Sequence, residues 1–580
     1  MSTPIYIAAD NIISSLGWTT AENLEQIAQE KTGIQCFSDG EDYPTPIWVS
    51  KVQENLHQTA IQQLENAVDY TRLEQLFLLS IIEASQQLNL DLSNAKTLII
   101  LASTKGNIDL LEHKNHGKFD ASRVQLGSMA QAIQGYFNNP NEPLVVCNAC
   151  ISGVLALDVA KRLLREDQYE YIVVAGGDLV TEFTVSGFQS FKAMSDAPCK
   201  PYDKNRVGIN LGEGIGTIIL TKERPKDQET VITLEGGASS NDANHISGPS
   251  RTGDGLFIAI DKALKDAACT TAELDYLSMH GTATPYNDEM ESKALSLAGL
   301  QEVPMHSLKG YIGHTLGAAG VIESIVAIHS LKNNTLYRSL GFEELGTPKP
   351  LNVITKTTPK VLQKCLKTAS GFGGCNAAMV FAKEEVANTA IEVSATKGTV
   401  LASCRIKNEQ IYLNDTLIFE KAEVPFAKFI KGAYRHFELG YPKFHKMDRL
   451  CKLAFVAANV LLQENILADY APEDIAIVMS NANSTLHTDS KHAESIQDRD
   501  NYYPSPAVFV YTLPNIMVGE ICIKYKIKGE SCFFVSNELD KDLLMDYSQN
   551  LIQTKNAKIC LTGWVDYTES GYEAILYVIK

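Results

Sequence analysis

The chain has 580 residues, of which 45% are hydrophobic and 21% charged, and its formal net charge is −18. This composition is typical of a globular protein, and the length exceeds what one hydrophobic core organises, so we expect two or more domains. The acidic balance argues against a general affinity for nucleic acid.

Three features bear on where the protein resides. The first basic residue is Lys31, so no charged segment precedes an apolar one in the manner of a secretory signal. Polar or charged residues interrupt every apolar run well short of a membrane span. The twelve cysteines are scattered along the chain and do not frame one small domain. We therefore expect a cytoplasmic protein without a membrane span.

Strands and helices alternate along the first 280 residues. A strand begins at Ile5, a helix is expected from about Ala21 to a stop at Gly33, and an apolar helix runs from Leu73 to about Leu88. Strands follow at 97–102, 144–146, 171–175, 217–220, 231–234 and 274–279, and a helix at 255–268. The alternation predicts an α/β architecture, with helices covering the faces of a sheet.

The stretch from Glu142 to Arg165 contains the first candidate for chemistry. A short β-branched strand leads through Cys147 and Cys150 into a segment that is apolar on most faces and closes on basic residues, as a helix C-terminus does. Cys150 therefore lies where a buried strand turns into a buried helix. The positive helix end there favours thiolate over thiol, which suits a nucleophile.

Other interpretations of the two cysteines stay open at this point. Cys147 and Cys150 form a C-x-x-C, which is found in redox pairs, although this one lies deep in the chain. Half of a zinc site is a second alternative, but no further C-x-x-C or H-x₃₋₅-H follows at the usual distance. A pair of small buried core cysteines is the third.

Four later segments bear on Cys150. They are 200–216, 279–291 with His280 at a strand end, 307–323 with Lys309 and His314 before a small-residue helix, and the glycine-rich turn 370–376. Each alone has a structural explanation, and the glycines of 212–216 lack the strand-to-helix context of a dinucleotide site. Together they place a candidate nucleophile, two histidines, a lysine and a glycine turn at the edges of apolar elements.

These segments closely resemble the β-ketoacyl-acyl-carrier-protein synthases. The resemblance rests on Asn-Ala-Cys150-Ile-Ser-Gly, on His280-Gly-Thr-Ala-Thr, on the run from Ser307 to Gly320, and on Gly371-Phe-Gly-Gly. It covers residues 1–385 approximately and implies the five-layered thiolase-like α/β fold. That fold stacks two similar βαβαβαββ halves, here about 1–225 and 226–385.

The resemblance implies decarboxylative condensation of an acyl thioester with malonyl-acyl-carrier protein, in fatty acid, polyene or polyketide assembly. Cys150 would hold the acyl group as a thioester. His280 and His314 would direct Nε2 protons at the oxygen that becomes negative when the malonyl group loses CO₂. Lys309 and Glu323 match the charged pair that supports this geometry.

The resemblance also implies how substrate is held. The backbone N–H groups of Cys150 and Phe372 would form an oxyanion hole, and Phe372 matches the gate over the nucleophile. Thr282 and Thr284 match residues that hydrogen-bond the pantetheine arm. No metal or bound cofactor is implied, because substrates arrive on the phosphopantetheine of acyl-carrier protein. The expected partners are that carrier and a second synthase chain, in a homodimer or a heterodimer.

Three positions depart from the family pattern. Ser370 stands where phenylalanine is usual, Cys375 where threonine is usual, and Asn287 where glycine is usual. None of the three is a catalytic group, so the departures bear on acyl-chain specificity and loop conformation.

Beyond residue 385 the sequence changes character. Residues 386–398 are mostly polar or small, which predicts a linker. Residues 399–580 resemble a third, degenerate copy of a synthase N-terminal half, with Glu538 near the nucleophile position and no histidine-containing second half. We expect this copy to serve in packing or protein docking and not in catalysis.

The third copy contains a basic segment at 428–452, with seven basic and two acidic residues, a local charge of +5. A solvated surface and a docking site for an acidic carrier are both open interpretations. For docking we single out Lys443, Lys446 and Arg449.

Two other functions stay open beside the condensing enzyme. A partner without catalysis, like a chain-length factor, typically lacks the cysteine that this chain keeps at Cys150. Acyl exchange from coenzyme A without decarboxylation would not need the pair of His280 and His314.

Overall fold

A computed structural model describes residues 4–38, 43, 45–226, 228–384, 398–463 and 465–580. These residues fold into three α/β units, which we call the first half, the second half and the C-terminal domain. The predicted linker, 386–398, lies outside the described residues except for Gly398.

The first half forms a five-stranded sheet with a small second sheet at its side. Its strands are β1 (Tyr6–Ile13), β2 (Ile34–Phe37), β3 (Ile47–Ser50), β4 (Thr97–Ala102), β5 (Leu144–Val146), β6 (Tyr171–Asp178), β7 (Leu211–Gly212) and β8 (Gly214–Thr221). Its helices are α1 (Thr20–Ala28), α2 (Glu54–Ala60), α3 (Arg72–Gln86), α4 (Leu126–Tyr136), α5 (Ser152–Arg165) and α6 (Glu182–Ser190). Helix α1 ends before the expected Gly33, since Glu30 takes a left-handed backbone with φ 55°.

The second half repeats this plan with fewer elements. Its strands are β9 (Ile232–Asn241), β10 (Tyr276–Ser278), β11 (Met305–His306), β12 (Thr335–Leu336), β13 (Thr358–Pro359), β14 (Lys364–Gly371) and β15 (Cys375–Lys383). Its helices are α7 (Asp254–Asp266), α8 (Pro285–Ala298), α9 (Lys309–Ile312) and α10 (Ala319–Asn333).

The C-terminal domain is a third unit of the same kind. Its strands are β16 (Val400–Lys407), β17 (Gln410–Leu413), β18 (Thr416–Glu420), β19 (Ile475–Asn481), β20 (Ser531–Val535), β21 (Ile559–Tyr567) and β22 (Tyr572–Ile579). Its helices are α11 (Phe426–His436), α12 (Arg449–Leu461), α13 (Leu486–Gln497), α14 (Pro506–Phe509), α15 (Asn515–Tyr525) and α16 (Lys541–Gln553).

The three main sheets share one topology. The strand order is β5-β4-β6-β8-β1 in the first half, β11-β10-β14-β15-β9 in the second half and β20-β19-β21-β22-β16 in the C-terminal domain. In each, the first three strands are parallel and the last two run antiparallel to their neighbours. This confirms the predicted thiolase-like α/β fold and the likeness of the C-terminal domain to a half.

Two helices form the middle of the first two units. Helices α5 and α10 contact each other and strands of both halves. Their closest approach lies at two glycines, because a Cβ at Gly153 would lie 2.7 Å from Val321 N and one at Gly320 would lie 2.4 Å from Val154 N. Even one methyl group at either glycine would force the helix ends apart.

The C-terminal domain joins the first half edge to edge. Strand β20 pairs antiparallel with β5, with Phe534 opposite Val146 and Val535 opposite Val145. Both strands occupy the same place in their units, so the pairing relates the two units by an approximate two-fold axis. The edge of β5 is therefore paired within the chain itself.

Helix α16 differs from its counterpart α5 in a way that fits its position. All of α5 except Arg165 is buried, whereas α16 buries only Leu544, Tyr547, Ser548 and Leu551. In the described residues no second helix covers α16 as α10 covers α5, and its outer face is accordingly polar.

None of the described helices is long and apolar enough alone to cross a membrane. Two consecutive helical segments, Pro506–Thr512 and Asn515–Tyr525, meet at a bend of 101°. They reach the length and apolar composition of a membrane span only when they are counted together.

A buried ion pair crosses the interface beside the joined strands. Arg162 Nη2 lies 2.9 Å from Glu530 Oε2 and 2.7 Å from Asp158 Oδ2, and all three side chains are buried. Tyr547 donates a further hydrogen bond to Glu530 Oε1 at 2.6 Å. Removing one partner of such a pair leaves a buried charge less compensated, which costs more than the pair itself contributes.

We predict that Glu530→Gln lowers the stability of the protein by roughly 3 kcal/mol, because Arg162 then loses a charged partner in a buried site. The matched control is Glu569→Gln, which removes the carboxylate from the more exposed pair with Arg449 and should cost less than about 1 kcal/mol. Thermal unfolding followed by circular dichroism measures both. Equal shifts in the two variants would contradict the importance of the interdomain pair.

Candidate active site

Cys150, His280 and His314 converge from three separate elements. Cys150 lies between β5 and α5, His280 follows β10, and His314 lies between α9 and α10. The Cys150 sulfur and one nitrogen of each imidazole lie within 4.8 Å of one another, and the two rings are 5.1 Å apart. The structure thus brings together the three residues that the sequence singled out.

The turn that carries Cys150 is sharp and held by a neighbouring hydroxyl. Ala149 takes a left-handed backbone with φ 50°, which is unfavourable for a residue with a Cβ. Ser152 Oγ accepts from Asn148 N at 2.8 Å and donates to the Ala149 carbonyl at 2.6 Å. These hydrogen bonds stabilise the turn that places Cys150 beside the two histidines.

Burial counts against the expected thiolate at Cys150. It raises the pKa of Cys150 to about 12, and the opposing effect of Lys309 is smaller. Helix α5 begins at Ser152, two residues after Cys150. Acylation therefore has to include removal of the thiol proton.

Cys147 faces away from this site. Its side chain is fully buried, and its sulfur lies 3.6 Å from the Thr104 carbonyl oxygen. Burial raises the pKa of Cys147 well above its usual value. Cys147 is a core cysteine, so the C-x-x-C is not a pair of equivalent thiols.

His280 is held as a neutral imidazole with a defined tautomer. Lys309 Nζ lies 3.3 Å from His280 Nδ1, and because an ammonium only donates, the ring proton resides on Nε2. Glu291 accepts from the backbone N–H of His280 at 3.0 Å and so anchors the strand end. Burial, followed by the charge of Lys309, holds the pKa of His280 well below its usual value.

His314 has both ring nitrogens free for substrate. Within the described part of the chain, neither nitrogen has a hydrogen-bond partner, although both are buried. Burial and the charges of Lys309 and Lys367 hold the pKa of His314 well below its usual value. A neutral imidazole with an unused N–H is suited to stabilise an oxyanion.

Behind the histidines lies a buried charge cluster of two lysines and one glutamate. Glu323 Oε1 lies 2.7 Å from Lys309 Nζ, and Glu323 Oε2 lies 2.6 Å from Lys367 Nζ. Burial alone would raise the pKa of Glu323, but the two lysines hold it below its usual value. The sequence identified Lys309 and Glu323 but missed Lys367, which sits in β14 without any local motif.

The glycine turn places Phe372 over the site. A Cβ at Gly371 would lie 3.0 Å from Cys150 N, so this turn packs directly against the nucleophile's backbone. The Phe372 ring stacks on Phe188 at 6.0 Å and contacts Phe191 at 5.5 Å. The turn that the resemblance matches to a gate therefore packs against the backbone of Cys150, and the gating role of Phe372 stays a prediction.

A cavity of about 120 Å³ opens beside these groups. Thr282 and Thr284 line it, with their hydroxyls 2.8 Å apart, as do Asn287 and Ser370. Its remaining lining residues include Phe188, Ala193, Ile209, Asp242, Pro249, Gly371 and Asn376. The cavity thus combines the expected pantetheine residues with two of the three departures from the family pattern.

One wall of the cavity carries a polar chain that the sequence did not reveal. Ser370 Oγ donates to Asn376 Oδ1 at 2.8 Å, and Asn376 Nδ2 donates to Asp242 Oδ1 at 2.8 Å. Burial raises the pKa of Asp242 to about 6. Asp242 and Asn376 come from strand ends far apart in sequence, so no spacing pattern linked them.

The arrangement disfavours a metal ion. Among the described residues, Cys150, His280 and His314 are the one set of three such donors close enough to ligate a cation. Lys309 lies buried 3.3 Å from His280, however, and its positive charge opposes a second cation in the same pocket.

The three residues named for carrier docking lie apart from the catalytic group. Lys443 and Lys446 are exposed, and in the described residues neither pairs with a carboxylate. Arg449 is engaged with Glu569 at 2.8 Å and with the Tyr567 hydroxyl, so it is less available. Burial, and secondly the charge of Lys443, lowers the pKa of His245.

Comparison with known proteins gives matches over the first two units. The model of the β-ketoacyl synthase N-terminal domain matches residues 9–226, and that of the C-terminal domain matches residues 231–343. The 3-oxoacyl-[acyl-carrier-protein] synthase 2 of Vibrio harveyi is 32% identical over 267 residues, 43% of this chain and 64% of the relative. The aligned region therefore spans less than two thirds of that relative.

Two solved structures share the fold. The keto synthase–chain length factor PfaC matches all of this chain and 78% of its own, with a TM-score of 0.75 and 14% identity. The AntDE:AntF complex, a ketosynthase with its type II acyl-carrier protein, matches 66% of this chain and all of its own, with a TM-score of 0.56 and 21% identity. The two family models together span more than half of the 580 residues, and the chain belongs to the β-ketoacyl synthase family.

Proposed function

We propose that the protein catalyses the decarboxylative condensation of an acyl thioester with malonyl-acyl-carrier protein, giving a β-ketoacyl-acyl-carrier protein. The observation that carries this proposal is the convergence of the Cys150 sulfur and two neutral imidazoles within 4.8 Å at one cavity. The reaction needs a thiol to hold the acyl group and two neutral N–H donors to hold an enolate.

In the first half-reaction Cys150 attacks the acyl thioester. The sulfur forms a bond to the carbonyl carbon, the carrier thiolate leaves, and the proton of the Cys150 thiol ends on that departing thiolate. The backbone N–H groups of Cys150 and Phe372 hold the oxyanion meanwhile.

In the second half-reaction the malonyl thioester loses CO₂. The electron pair of the broken carbon–carbon bond moves into an enolate, whose oxygen takes its hydrogen bonds from His280 and His314. The enolate carbon then attacks the acyl group on Cys150, and the sulfur leaves and regains a proton. Burial, and to a smaller extent the nearby lysines, keeps the pKa of both imidazoles well below its usual value, so each is neutral and still carries an N–H to donate.

The alternatives are less well supported by the site. A chain-length factor without catalysis has no use for a cysteine set against two histidines and a buried Lys–Glu–Lys cluster. Acyl exchange without decarboxylation leaves the paired N–H donors without a role. The pathway, whether fatty acid, polyene or polyketide, depends on the acyl group that the cavity takes.

The proposed setting is the cytoplasm, with acyl-carrier protein as partner and no resident cofactor. All twelve cysteines are free thiols, as is usual in a reducing compartment. A homodimer, or a heterodimer with a related synthase, remains our expectation from the resemblance. Any such partner would have to use a surface other than the edge of β5, which β20 occupies.

We predict that Cys150→Ala abolishes acylation by an acyl-carrier protein, because among the described residues Cys150 is the one cysteine grouped with His280 and His314. Mass spectrometry of the intact protein after incubation with carriers of several acyl lengths measures the adduct. The matched control is Cys147→Ala, which removes the neighbouring thiol and should still acylate. Labelling that survives in the Cys150 variant and disappears in the Cys147 variant would refute the site.

We predict that His314→Ala separates the two half-reactions. Acylation of Cys150 should persist, whereas decarboxylation of malonyl-acyl-carrier protein should fall by about 10²–10³, the effect of losing one oxyanion donor. Release of CO₂ and the acyl adduct are measured on the same preparation. An equal loss of both steps would indicate damage to the fold and not the loss of a donor.

Docking of the carrier at the basic segment is a separate prediction. Lys443→Glu combined with Lys446→Glu should lower kcat/KM with acyl-carrier protein, because opposite charge raises the encounter rate and fixes orientation. Added salt should lower the parent's rate in the same way by screening. Turnover with a small soluble thioester should not change.

The control for docking makes the same change of net charge elsewhere, at exposed Lys349 and Lys356 of the second half. That variant should keep the parent's carrier kinetics at low ionic strength. If the Lys443 and Lys446 variant also keeps them, the segment does not dock the carrier.

A further inference from the structure

The turn that carries Phe372 depends on glycines for its shape. Gly373 and Gly374 have φ values of +91° and +73°, in the left-handed region that a residue with a Cβ rarely adopts. Glycine also has the widest conformational freedom of all residues, so such a turn needs contacts from outside to hold one geometry.

The C-terminal domain supplies such a contact through Asn515, the first residue of α15. Asn515 Nδ2 donates to the Phe372 carbonyl at 2.8 Å and lies 3.7 Å from the Cys375 sulfur. One turn later in α15, a Cβ at Gly519 would lie 2.7 Å from the Gly373 carbonyl oxygen. Helix α15 therefore lies directly against the turn, without room for even a methyl group between them.

Stability alone does not account for this amide. Asn515 is buried, and within the described residues its Oδ1 has no hydrogen-bond partner. A buried acceptor without a donor costs free energy, so a packing residue of the same size would serve the interface better. What distinguishes Asn515 from such a residue is its Nδ2 donor, which binds the Phe372 carbonyl.

The same domain supports the Phe372 ring from the other side. Phe509 of α14 contacts Phe188 at 5.7 Å and Phe191 at 6.3 Å, and those two rings contact Phe372. The packing is tight, because a Cβ at Gly187 would lie 2.1 Å from Phe509. The backbone and the ring of Phe372 are thus both held, directly or through one neighbour, by residues 506–519.

We infer that Asn515 is a positioning residue for the oxyanion hole, supplied by the C-terminal domain. Strands β14 and β15 fix the turn at Gly371 and Cys375, which pair with each other. Asn515 Nδ2 and the Cys375 thiol both donate to the Phe372 carbonyl, and so restrain the peptide plane between Phe372 and Gly373. That plane meets the plane of the Phe372 N–H at the Phe372 Cα, so holding one limits how far the other can rotate. This inference rests on the proposed function, in which that N–H holds the acyl oxyanion.

The test compares two half-reactions in Asn515→Ala and Asn515→Asp. Acylation of Cys150, which uses the Phe372 N–H, should slow by about 10–100-fold, because small misplacements of a catalytic group cost that much. Decarboxylation of malonyl-acyl-carrier protein, which uses the histidines, should stay within about threefold. The Asp variant should be the slower, since a carboxylate would face the Phe372 carbonyl.

The matched control is Asn459→Ala, which removes another buried amide of the C-terminal domain. Asn459 Nδ2 donates to the Phe455 carbonyl at 2.7 Å and its Oδ1 accepts from Tyr525, within the C-terminal domain. This variant should lower the unfolding temperature without changing the ratio of the two half-reactions. Acylation by the Asn515 variants within about threefold of the parent, or a parallel fall of both steps as stability falls, would overturn the inference.

A third readout keeps the inference separate from the proposed function. Hydrogen exchange of the peptide that covers residues 371–375 should speed up in both Asn515 variants and not in the Asn459 variant. If the parent never acylates, the proposed function fails, and the exchange rates still decide whether Asn515 holds the turn. Unchanged exchange in the Asn515 variants would overturn it whatever the activity.

Discussion

The close contact between helices α5 and α10 is the constraint on which the site depends. Gly153 and Gly320 let the two helix ends meet, and each end is preceded by a reactive residue, Cys150 before α5 and His314 before α10. Asp178 secures the same junction, because its carboxylate accepts from the Gly317 backbone N–H at 2.7 Å. The distance between the nucleophile and one oxyanion donor is therefore set by helix packing, the least adjustable part of the core.

The second requirement is electrostatic. Two lysines and one glutamate lie buried together behind the histidines, and burial makes their charges act over a longer range than they would in water. Burial is the larger cause, and the lysine charges the smaller one, of the low pKa of both imidazoles. Burial and the cluster together therefore keep the two histidines neutral.

The sequence predicted the parts of this arrangement that lie in continuous motifs. Four residues of the site lie in short continuous motifs that can be recognised in the sequence. They are Cys150, His280, Lys309 and His314. Lys367, Asp242 and Asn515 reach the site from strands and helices distant in the chain, and nothing in their neighbours' spacing indicates this. Local sequence indicates the helix end that favours a Cys150 thiolate, but it does not indicate the burial that raises the pKa of the thiol.

The joined edges of β5 and β20 have a consequence for how the site is assembled. When a separate chain completes a site, dilution takes the two apart, and the fraction of complete sites follows the protein concentration. Here both strands belong to one chain, so each meets the other at an effective concentration set by their covalent connection and not by expression level. Every molecule carries its own copy of α15. Because the three units belong to one chain, each pair of halves always comes with one C-terminal domain.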